Sequence, residues 1–553
     1  MPCPIIFNKR SSLTALRSLS PLLGCRYMKW HRLFLLSLTM STGLAAPFTF
    51  DDVRLLARER AQSAYQEPKD NLDAFWKNLT YDQHRDIRFK IAEGLWAREK
   101  LPFSIDFFHP GWTAKKTVTV DEVIDGREKP VIFDGEMFDY GKTEIPEGTP
   151  PPPGYAGWRA RFHLNSPDYM DEFWVHLGAS YFRSIPAGAP YGLSARGLSL
   201  NSGLPGVPEE FPDFQKFWLI RPAADAKEMT AYALMDGPSI AGAWKFTVIP
   251  GKETVMDVEA EFTLRQPVQQ LGLAPFSTMF WFGELTRPHP YDFRPEIHDS
   301  DGLLLELTNG ESHFRPLDHT EGKWRHCVFT LESPRSWSLV QRDRQFRSYQ
   351  DTEAHYHNRP SVRVEPISGF KNGRLHLIEM PTPDETNDNV VLVWEPTPQP
   401  EVGKAHHIQY RLHWMRDPAP SGLFQVRSTG FGHPVQQPDK LLFSVEFAKP
   451  LTPEAKTAER KWDDIKGWKP KVVCNNPDVK LIHAGLSDLS MAWVDDLHLG
   501  LGRQPNLHMP QVLRAFFVLE PPVEAQDLDL TCELLDADGQ SVSERWVYLW
   551  KKP

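Results

Sequence analysis

Residues 229–264 read MTAYALMDGPSIAGAWKFTVIPGKETVMDVEAEFTL. Three β-rich runs make up this stretch, and Gly-Pro-Ser and Pro-Gly separate them where turns are expected. Similar short runs, each closed by Gly, Pro, Asp or Asn, continue from Phe103 to Met415. Because no helical pattern lies between these runs, we expect an all-β protein whose antiparallel sheets pack face to face.

The composition of the 553-residue chain supports this fold class and excludes several others. Hydrophobic residues make up 41% and charged residues 24%, which excludes a disordered chain, a collagen-like fibre and a polytopic membrane protein. The 49 prolines disfavour long helices and central strand positions. Helical spacing of apolar residues predicts one helix over 50–66 and a second, short one within 70–86.

The first 45 residues have the features of an export signal. The apolar run LFLLSLTMSTGLAA at 33–46 follows Lys29, His31 and Arg32, is too short to span a membrane, and ends in small residues. We therefore predict a signal peptide within 1–45, with Met28 as a candidate true start, and a periplasmic mature protein. Removing the six basic residues of this segment changes the net charge from −10 to −16, which argues against nucleic acid as a partner.

Strand spacing also predicts the domain organisation. Residues 46–417 are expected to form a large N-terminal β-sandwich. A segment rich in Pro and Gly at 418–440 is expected to be a linker or long loop. The last 113 residues, 441–553, suit an immunoglobulin-like sandwich of about seven strands. Cys474 and Cys532 lie in this part and either pair or remain free thiols.

Two acidic segments are the strongest candidates for chemistry. RPHPYDFRPEIHDSDG at 287–302 holds Asp292, Glu296, Asp299 and Asp301 among Arg287, Arg294, His289 and His298, and EMPTPDETNDN at 379–389 holds Glu379, Asp384, Glu385 and Asp388. Glycoside hydrolysis uses two such carboxyl groups, one protonated as the acid and one ionised as the base or nucleophile. The alternative interpretation is a pair of polar turns or a calcium loop.

A third segment, Pro190 to Pro222, suits either a wall of a sugar cleft or a long connection between strands. It mixes aromatic, cationic and acidic groups: Tyr191, Arg196, Glu209, Glu210 and Trp218. The full set of candidate substrate-binding residues is Tyr191, Arg196, Glu210, Trp218, Arg294, Glu296, His298, Arg315 and Tyr356. No His or Cys spacing typical of a metal site occurs, so no metal and no cofactor are predicted.

Several stretches resemble the periplasmic glucan biosynthesis protein G/D family (OpgG/OpgD, also called MdoG/MdoD), and the similarity runs from Phe48 to the end of the chain. They are YDQHRDIRF at 81–89, FFHPG at 107–111, YGLSARGL at 191–198, FRPEIHDSDGL at 293–303, LVQRDRQF at 339–346, PTPDETNDN at 381–389 and YRLHW at 410–414. One departure is GESHFRPL at 310–317, where the family has a Trp-containing GEWxWRPL segment. Such a loss of Trp rings would change a sugar subsite.

The resemblance implies a galactose-mutarotase-like β-sandwich followed by an immunoglobulin-like domain, and action on periplasmic glucans with a β-1,2-linked backbone. D-type members resemble inverting endo-β-1,2-glucanases. Carried over by motif, the general acid falls on Asp388 and the general base on Asp301 or Asp299, with Glu385 as a further candidate catalytic residue. Asp301 is preferred because it adjoins Gly302, where the backbone allows close approach of substrate.

Three functions remain open from the sequence. The first is an inverting β-1,2-glucan hydrolase, the second a transglycosylase that uses a sugar hydroxyl as acceptor, and the third a non-catalytic glucan-binding assembly factor. The candidate partners are the β-1,2-linked glucan, a membrane glucan synthase and a second copy of the chain in a homodimer.

Overall fold

A computed structural model of the protein describes residues 46–286, 291–319, 323–418, 422–449, 465–489 and 511–552. The predicted signal segment 1–45, together with Arg287 and His289, lies outside these ranges. The α-helices are α1 (Phe50–Ala61), α2 (Ala74–Lys77), α3 (Tyr81–Asp86) and α4 (Phe346–Tyr349), and 3-10 turns lie at Ile91–Glu93, Gly135–Met137 and Tyr356–Asn358. Among the described residues, no helix has the length and apolar character that a membrane span requires.

Strands dominate the described chain, which confirms the predicted all-β fold. The first fourteen are β1 (Arg88–Phe89), β2 (Phe103–Phe108), β3 (Thr119–Ile124), β4 (Arg127–Pro130), β5 (Phe138–Asp139), β6 (Gly157–Phe162), β7 (Asp171–Leu177), β8 (Tyr181–Ser184), β9 (Ser194–Arg196), β10 (Leu198–Leu200), β11 (Asp213–Ile220), β12 (Met229–Gly237), β13 (Ile240–Ile249) and β14 (Thr254–Leu264).

The remaining strands run from the middle of the chain to its described end. They are β15 (Leu271–Thr278), β16 (Phe280–Phe282), β17 (Ile297–His298), β18 (Gly302–Leu307), β19 (Ser312–Pro316), β20 (Arg325–Leu331), β21 (Pro334–Val340), β22 (Ser361–Ser368), β23 (Gly373–Glu379), β24 (Val390–Pro396), β25 (Ala405–Met415), β26 (Gln425–Gly432), β27 (Leu441–Ala448), β28 (Lys469–Cys474), β29 (Lys480–Asp488), β30 (Val512–Glu520), β31 (Asp527–Leu535) and β32 (Arg545–Lys551).

Two large sheets form the main sandwich. One has the order β2-β6-β7-β8-β9-β15-β24-β23-β20, with β10 also paired to β15. The other has the order β28-β31-β32-β19-β18-β21-β22-β25-β14-β13-β12-β11-β3-β4. The three β-rich runs within residues 229–264 are the neighbouring strands β12, β13 and β14 of this second sheet. Trp244 of β13 lies opposite Ala233 of β12 and Ala260 of β14. Buried side chains of both sheets, among them Trp158, Trp174, Trp337 and Trp394, fill the space between them.

Helix α1 covers the outer face of the second sheet. Its start is fixed by Asp52, whose carboxylate accepts a hydrogen bond of 2.7 Å from the Thr49 amide. Its apolar side, Phe50, Val53 and Ala57, packs on the sheet. The prediction of a helix over 50–66 is therefore confirmed in its position, and the expected short helix within 70–86 is present as the two helices α2 and α3.

The C-terminal strands build a second core. Sheet β26-β27-β30-β29 packs against β28-β31-β32, with Phe443, Phe517 and Trp546 buried between them. Strand β26 lies inside the stretch 418–440, where a linker or loop was expected, and its Val426 is buried. The strand was not predicted because its Ser and Gly residues are not typical of a β-strand. Cys474 and Cys532 are free thiols, because the pairing of β28 with β31 sets Cys532 opposite Val472 instead.

The second core shares a sheet with the main sandwich. Strand β32 pairs in parallel with β19, with Phe314 opposite Trp546. Beside this junction, the buried guanidinium of Arg342 donates to both carboxylate oxygens of Glu544 at 2.7 and 2.8 Å. The division into an N-terminal domain of residues 46–417 and a C-terminal domain of residues 441–553 stays a prediction. Strand β32 belongs to the second of these segments and pairs with β19 of the first.

Candidate functional site

The two acidic segments meet at one end of the main sandwich. Asn389, directly before β24, donates to the carbonyls of Phe280 and Met380 at 2.9 and 2.8 Å and accepts from the Phe280 amide at 2.9 Å. Strand β16, which contains Phe280, pairs with β17, and Phe280 lies opposite His298. The amide of Asn389 thus ties the NDN segment to the HDSDG segment and brings their carboxyl groups into one region.

Asp388 is a partly exposed carboxyl group of this region. Its side chain is 30% exposed, with Ser194 Oγ donating to Oδ2 at 3.4 Å and Arg183 Nη2 lying 3.7 Å from the same oxygen. Burial raises the pKa of Asp388, the negative charge of Asp299 raises it further, and Arg183 opposes both. Such a carboxyl group holds its proton to a higher pH than an ordinary aspartate does, which suits a group that donates a proton.

Asp299 is buried beside two arginines. Its Oδ1 lies 3.3 Å from Arg359 Nε, and its amide donates to the Met279 carbonyl at 2.9 Å. Burial raises the pKa of Asp299, whereas the charges of Arg359 and Arg183 act in the opposite direction. The charge of Asp299 therefore acts on the protonation of Asp388, and Arg183 acts on both carboxyl groups.

Asp301 has one bonded and one open carboxylate oxygen. Oδ2 accepts from the backbone amides of Arg342 at 2.5 Å and Asp343 at 3.0 Å, while Oδ1 is buried with no hydrogen-bond partner. Burial raises the pKa of Asp301, and the neighbouring His298 opposes the rise. The open oxygen is available to accept a proton.

Gly302 does not provide the close approach of substrate that its place after Asp301 suggested. A Cβ atom on Gly302 would lie 2.2 Å from the ring of Phe314, so glycine is required there by packing within β18 and β19. Ser312 and Phe314, which replace the family's Trp residues, are both buried. The expectation that this departure changes a sugar subsite stays a prediction.

A clamp of charged residues joins the acidic loops to each other. Arg294 donates to Asp351 at 2.7 Å and to both oxygens of Glu385 at 2.9 and 3.2 Å, and it also holds Asp292. Glu385 accepts a further hydrogen bond of 2.6 Å from the Tyr356 hydroxyl. Because its oxygens are occupied in this way, Glu385 is better placed to position the loops than to exchange a proton with substrate.

Behind Asp301 lies a second group of acids. Carboxylate oxygens of Glu284, Glu296 and Asp343, here called the acid trio, come within 4.8 Å of one another. With Asp301 they line a cavity of about 20 Å³, which has room for one water molecule. Partial loss of hydration and mutual repulsion raise the pKa values of Glu284 and Asp343 well above the ordinary range.

The charge of the acid trio is partly balanced by protein groups. His298 Nε2 lies 2.9 Å from Glu296, and His298 Nδ1 lies 2.9 Å from Gln341 Oε1. Burial alone would lower the pKa of His298, but the hydrogen bond and charge of Glu296 outweigh it and the net shift is upward. Arg427 lines the same cavity. Three oxygen donors fall short of the six to eight that calcium takes, so the trio alone is an incomplete cage for that ion.

Of the other predicted binding residues, Arg196 and Tyr191 border the site. The Arg196 guanidinium lies 4.6 Å above the ring of Tyr181 and pairs with Glu209 at 2.5 Å, and its charge reaches Asp388. The carbonyl of Tyr191 accepts a hydrogen bond from Arg359. These contacts are consistent with the interpretation of the 190–222 segment as part of a cleft wall.

Three predicted substrate-binding residues have other tasks. Trp218 is 0% exposed and packs in the core under α1, so its ring offers no face to a sugar. Arg315 is buried in a two-pronged ion pair with Glu379. Glu210 accepts from the amide and hydroxyl of Ser239 at 2.9 and 2.6 Å and so anchors the turn between β12 and β13.

The sequence interpretation missed the basic residues nearest the two aspartates. Arg183 lies on the short strand β8, and Arg359 follows the turn that contains Tyr356. Neither has a local signal, because each is a single arginine in a β-rich or polar stretch. Ser194, which contacts Asp388, stands inside the YGLSARGL segment that had already been singled out.

Comparison with known proteins gives one consistent family. The profile of the family described as "Periplasmic glucan biosynthesis protein, MdoG" matches residues 48–550. A "Glucans biosynthesis protein G" of Ralstonia nicotianae is 42% identical over 404 residues, 72% of this chain and 80% of the relative. The protein of the same name from Bradyrhizobium diazoefficiens is 37% identical over 512 residues, 92% of this chain and 94% of the relative. Two of the segments that these matches include are the acidic loops described above.

Proposed function

From the membership of this chain in the periplasmic glucan biosynthesis protein family MdoG, and hence its part in glucan biosynthesis, we propose that it is a periplasmic enzyme that cleaves the β-1,2-linked backbone of a glucan with inversion. The observation that carries the proposal is the pairing of Asp388, a partly exposed carboxyl group with a raised pKa, with the buried carboxyl groups of the HDSDG segment.

In the proposed mechanism, Asp388 is the general acid. Burial and the negative charge of Asp299 favour its protonated form, and its partial exposure lets it reach a glycosidic oxygen in the cleft. Protonation of the leaving oxygen removes the need to expel an alkoxide. Arg183 and Ser194 hold the Asp388 side chain in place before and after proton transfer.

Asp301 is the proposed general base, with Asp299 as the alternative. The backbone amides of Arg342 and Asp343 fix one oxygen of Asp301, the other oxygen has no hydrogen-bond partner, and Asp301 lines a cavity that can hold one water. A proton from the attacking water would reach that oxygen through a bridging water. An inverting pair directly activating water has carboxyls roughly 6.5–9.5 Å apart, and a bridged pair is farther apart.

The test is incubation of the purified protein with linear β-1,2-glucan, followed by sizing of the products and by NMR of the newly formed anomer. Shorter linear chains with an inverted anomer are expected. Longer chains or rings would instead assign a transglycosylase, and an unchanged substrate would assign a glucan-binding assembly factor. Either result contradicts the hydrolase.

Two variants on one loop connect the activity to the proposed acid. Asp388→Asn should lower turnover by about 10²–10⁴-fold, the usual worth of general acid catalysis. Asp384→Asn is the matched control, because Asp384 is partly exposed on the same loop and serves as acceptor for Thr386, a role that an Asn oxygen can keep. Equal turnover of the two variants would remove Asp388 from the mechanism. A membrane glucan synthase and a second copy of the chain stay proposed partners.

A further inference from the structure

A row of side chains continues from Asp388 along the outer face of strands β8 and β9. Phe182 of β8 lies opposite Ala195 of β9, and both belong to the buried core of the main sandwich. Because side chains alternate between the two faces of a strand, the residues on either side of them lie on the outer face of the sheet. These residues are Tyr181, Arg183, Ser194 and Arg196.

The row has two layers at different distances from the proposed acid. In the first, Arg183 Nε donates to Ser194 Oγ at 2.6 Å, and Ser194 Oγ donates to Asp388 at 3.4 Å. In the second, Tyr181 lies opposite Arg196, two residues further along each strand. At a rise of about 3.3–3.4 Å per residue, the second layer lies roughly 7 Å from the first. A sugar beside the second layer is therefore a neighbour of the sugars whose bond Asp388 would protonate.

The guanidinium of the second layer contacts two aromatic rings. The central carbon of the Arg196 guanidinium lies 4.6 Å from the ring centroid of Tyr181 and 5.3 Å from that of Phe211, both within the range of a cation–π contact. The carboxylate of Glu209 accepts from Arg196 Nη1 at 2.5 Å. Because this ion pair balances the charge of Arg196, the second layer favours a neutral ligand over an anion.

Phe211 is the member of this stack that solvent reaches most easily. It is 46% exposed, whereas Arg196 is 5% exposed. Folding thus leaves close to half of an apolar residue in water, where it gains no free energy from burial. A ligand with an apolar surface would gain that free energy by covering the ring.

The backbone on both sides of Phe211 is fixed, although its ring is exposed. Glu209 is held by Arg196, and the Glu210 amide donates to the Leu200 carbonyl at 3.1 Å. On the other side, the ring of Pro212 restricts the backbone of Phe211 to extended conformations. A ring on such a backbone loses little conformational entropy when a ligand stacks on it.

Resting on the proposed function, we propose that Phe211 is a stacking platform for one glucose residue of the glucan, next to the bond that Asp388 protonates. A pyranose is uncharged, and its C–H groups form an apolar face that can pack on an aromatic ring. The sugar on the platform does not itself react. Its binding energy is therefore the same in the ground state and the transition state, so Phe211 should lower KM without changing turnover.

The first test is calorimetric titration of linear β-1,2-glucan into full-length protein that carries Asp388→Asn, which prevents cleavage during the measurement. Adding Phe211→Leu should weaken binding about tenfold, because the flat ring is lost while an apolar side chain still covers Arg196. Adding Phe211→Tyr, which keeps the ring, should preserve the affinity. The matched control is Phe431→Leu, the same change at a 36% exposed ring on β26 of the C-terminal core.

The second test is kinetic and separates a platform from a purely structural role. In protein with Asp388 intact, Phe211→Leu should raise KM about tenfold and leave both kcat and the alkaline limb of the pH–rate profile in place. If Phe211 acted only by holding Arg196, whose charge acts on Asp388, the limb would move and the affinity would not. Crystals of the Asp388→Asn protein soaked in the glucan should show a sugar on the Phe211 ring, and this measurement stands if Phe211→Leu does not fold.

Three results would overturn the proposal. The first is equal glucan affinity with and without Phe211→Leu. The second is an equal loss of affinity in Phe211→Leu and Phe431→Leu, and the third is a soaked crystal with sugars at Asp388 and none on Phe211. Absence of cleavage by the unmodified protein, together with Phe211-dependent glucan binding, would refute the hydrolase and keep the platform as part of a glucan-binding surface.

Discussion

Replacing Glu379 by Gln tests whether Arg315 is structural or binds substrate. In the structure, Glu379 Oε1 accepts from Arg315 Nη1 at 2.6 Å and from the Asp318 amide at 2.8 Å, and Oε2 accepts from Arg315 Nη2 at 2.7 Å. The side chains of Arg315 and Glu379 are only 2% and 4% exposed. The pair is thus a charge-assisted, two-pronged contact inside the protein, where no water can replace a lost partner.

The loss in the free energy of unfolding depends on which hydrogen bonds of Glu379 a Gln side chain can keep. Gln at 379 can retain the two hydrogen bonds to one oxygen, but its NH₂ group would face the Arg315 Nη2 donor. Arg315 would also remain charged and buried without its directly bonded counter-ion, with only the charge of Asp318 nearby. Breaking such a pair from one side typically costs about 3–5 kcal/mol, and we expect a loss of that size in the free energy of unfolding.

Equilibrium unfolding in guanidinium chloride measures this loss, with glucan affinity measured in parallel. The matched control is Glu401→Gln, because Glu401 is 65% exposed in a surface pair with Lys404 and should change stability by no more than about 0.5 kcal/mol. Glu379→Gln with normal stability and weakened glucan binding would refute the reasoning and return Arg315 to the substrate-binding residues.

The remaining predictions concern the acid and base groups and the mature protein. Asp301→Asn should lower turnover by about 10²–10⁴-fold while Asp299→Asn keeps more activity, and the reverse order in kinetic assays would make Asp299 the base. Activity should fall as pH rises through the raised pKa of Asp388, since only its protonated form donates. Asp299→Asn removes the negative charge that contributes to this rise, so the alkaline limb of the pH–rate profile should move to lower pH, and an unmoved limb would contradict the coupling. Dialysis against EDTA should leave turnover unchanged, whereas loss and recovery with Ca²⁺ would make the acid trio a cation site. Sequencing of periplasmic material should begin near Ala46, and a start at Met1 would contradict the predicted signal peptide.

The fold could be predicted because its determinants are local. Strands such as β12, β13 and β14 alternate or concentrate apolar residues, and Gly or Pro follows or ends β12 and β13, so their length and pairing partners can be inferred from neighbouring residues alone. Strand β26 escaped notice because its run QVRSTGFG is rich in small and polar residues. The joining of β32 to β19 could not be inferred, since nothing in either strand specifies a parallel neighbour from the far end of the chain.

The acidic loops could likewise be found from the sequence, but the roles of single residues inside them could not. The sequence shows that Trp218 is aromatic and Arg315 is cationic, but their structural roles depend on partners that are distant in the chain. For Trp218 the partner is helix α1, and for Arg315 it is Glu379, 64 residues later. The same limit hid Arg183 and Arg359, whose importance comes only from their distance to Asp388 and Asp299.

The contact between Arg342 and Glu544 makes the order of synthesis relevant to activity. The backbone amide of Arg342 fixes Asp301, while its guanidinium is neutralised by Glu544, which the ribosome adds 202 residues later. Until Glu544 is in place, the Arg342 guanidinium lacks the carboxylate that it pairs with in the folded protein. The edge of β19 also lacks its neighbouring strand β32. A chain whose main sandwich has formed before β32 joins it therefore still holds an unfinished site. The proposed site is therefore completed only when β32 and Glu544 have joined the segments that carry Asp301 and Asp388.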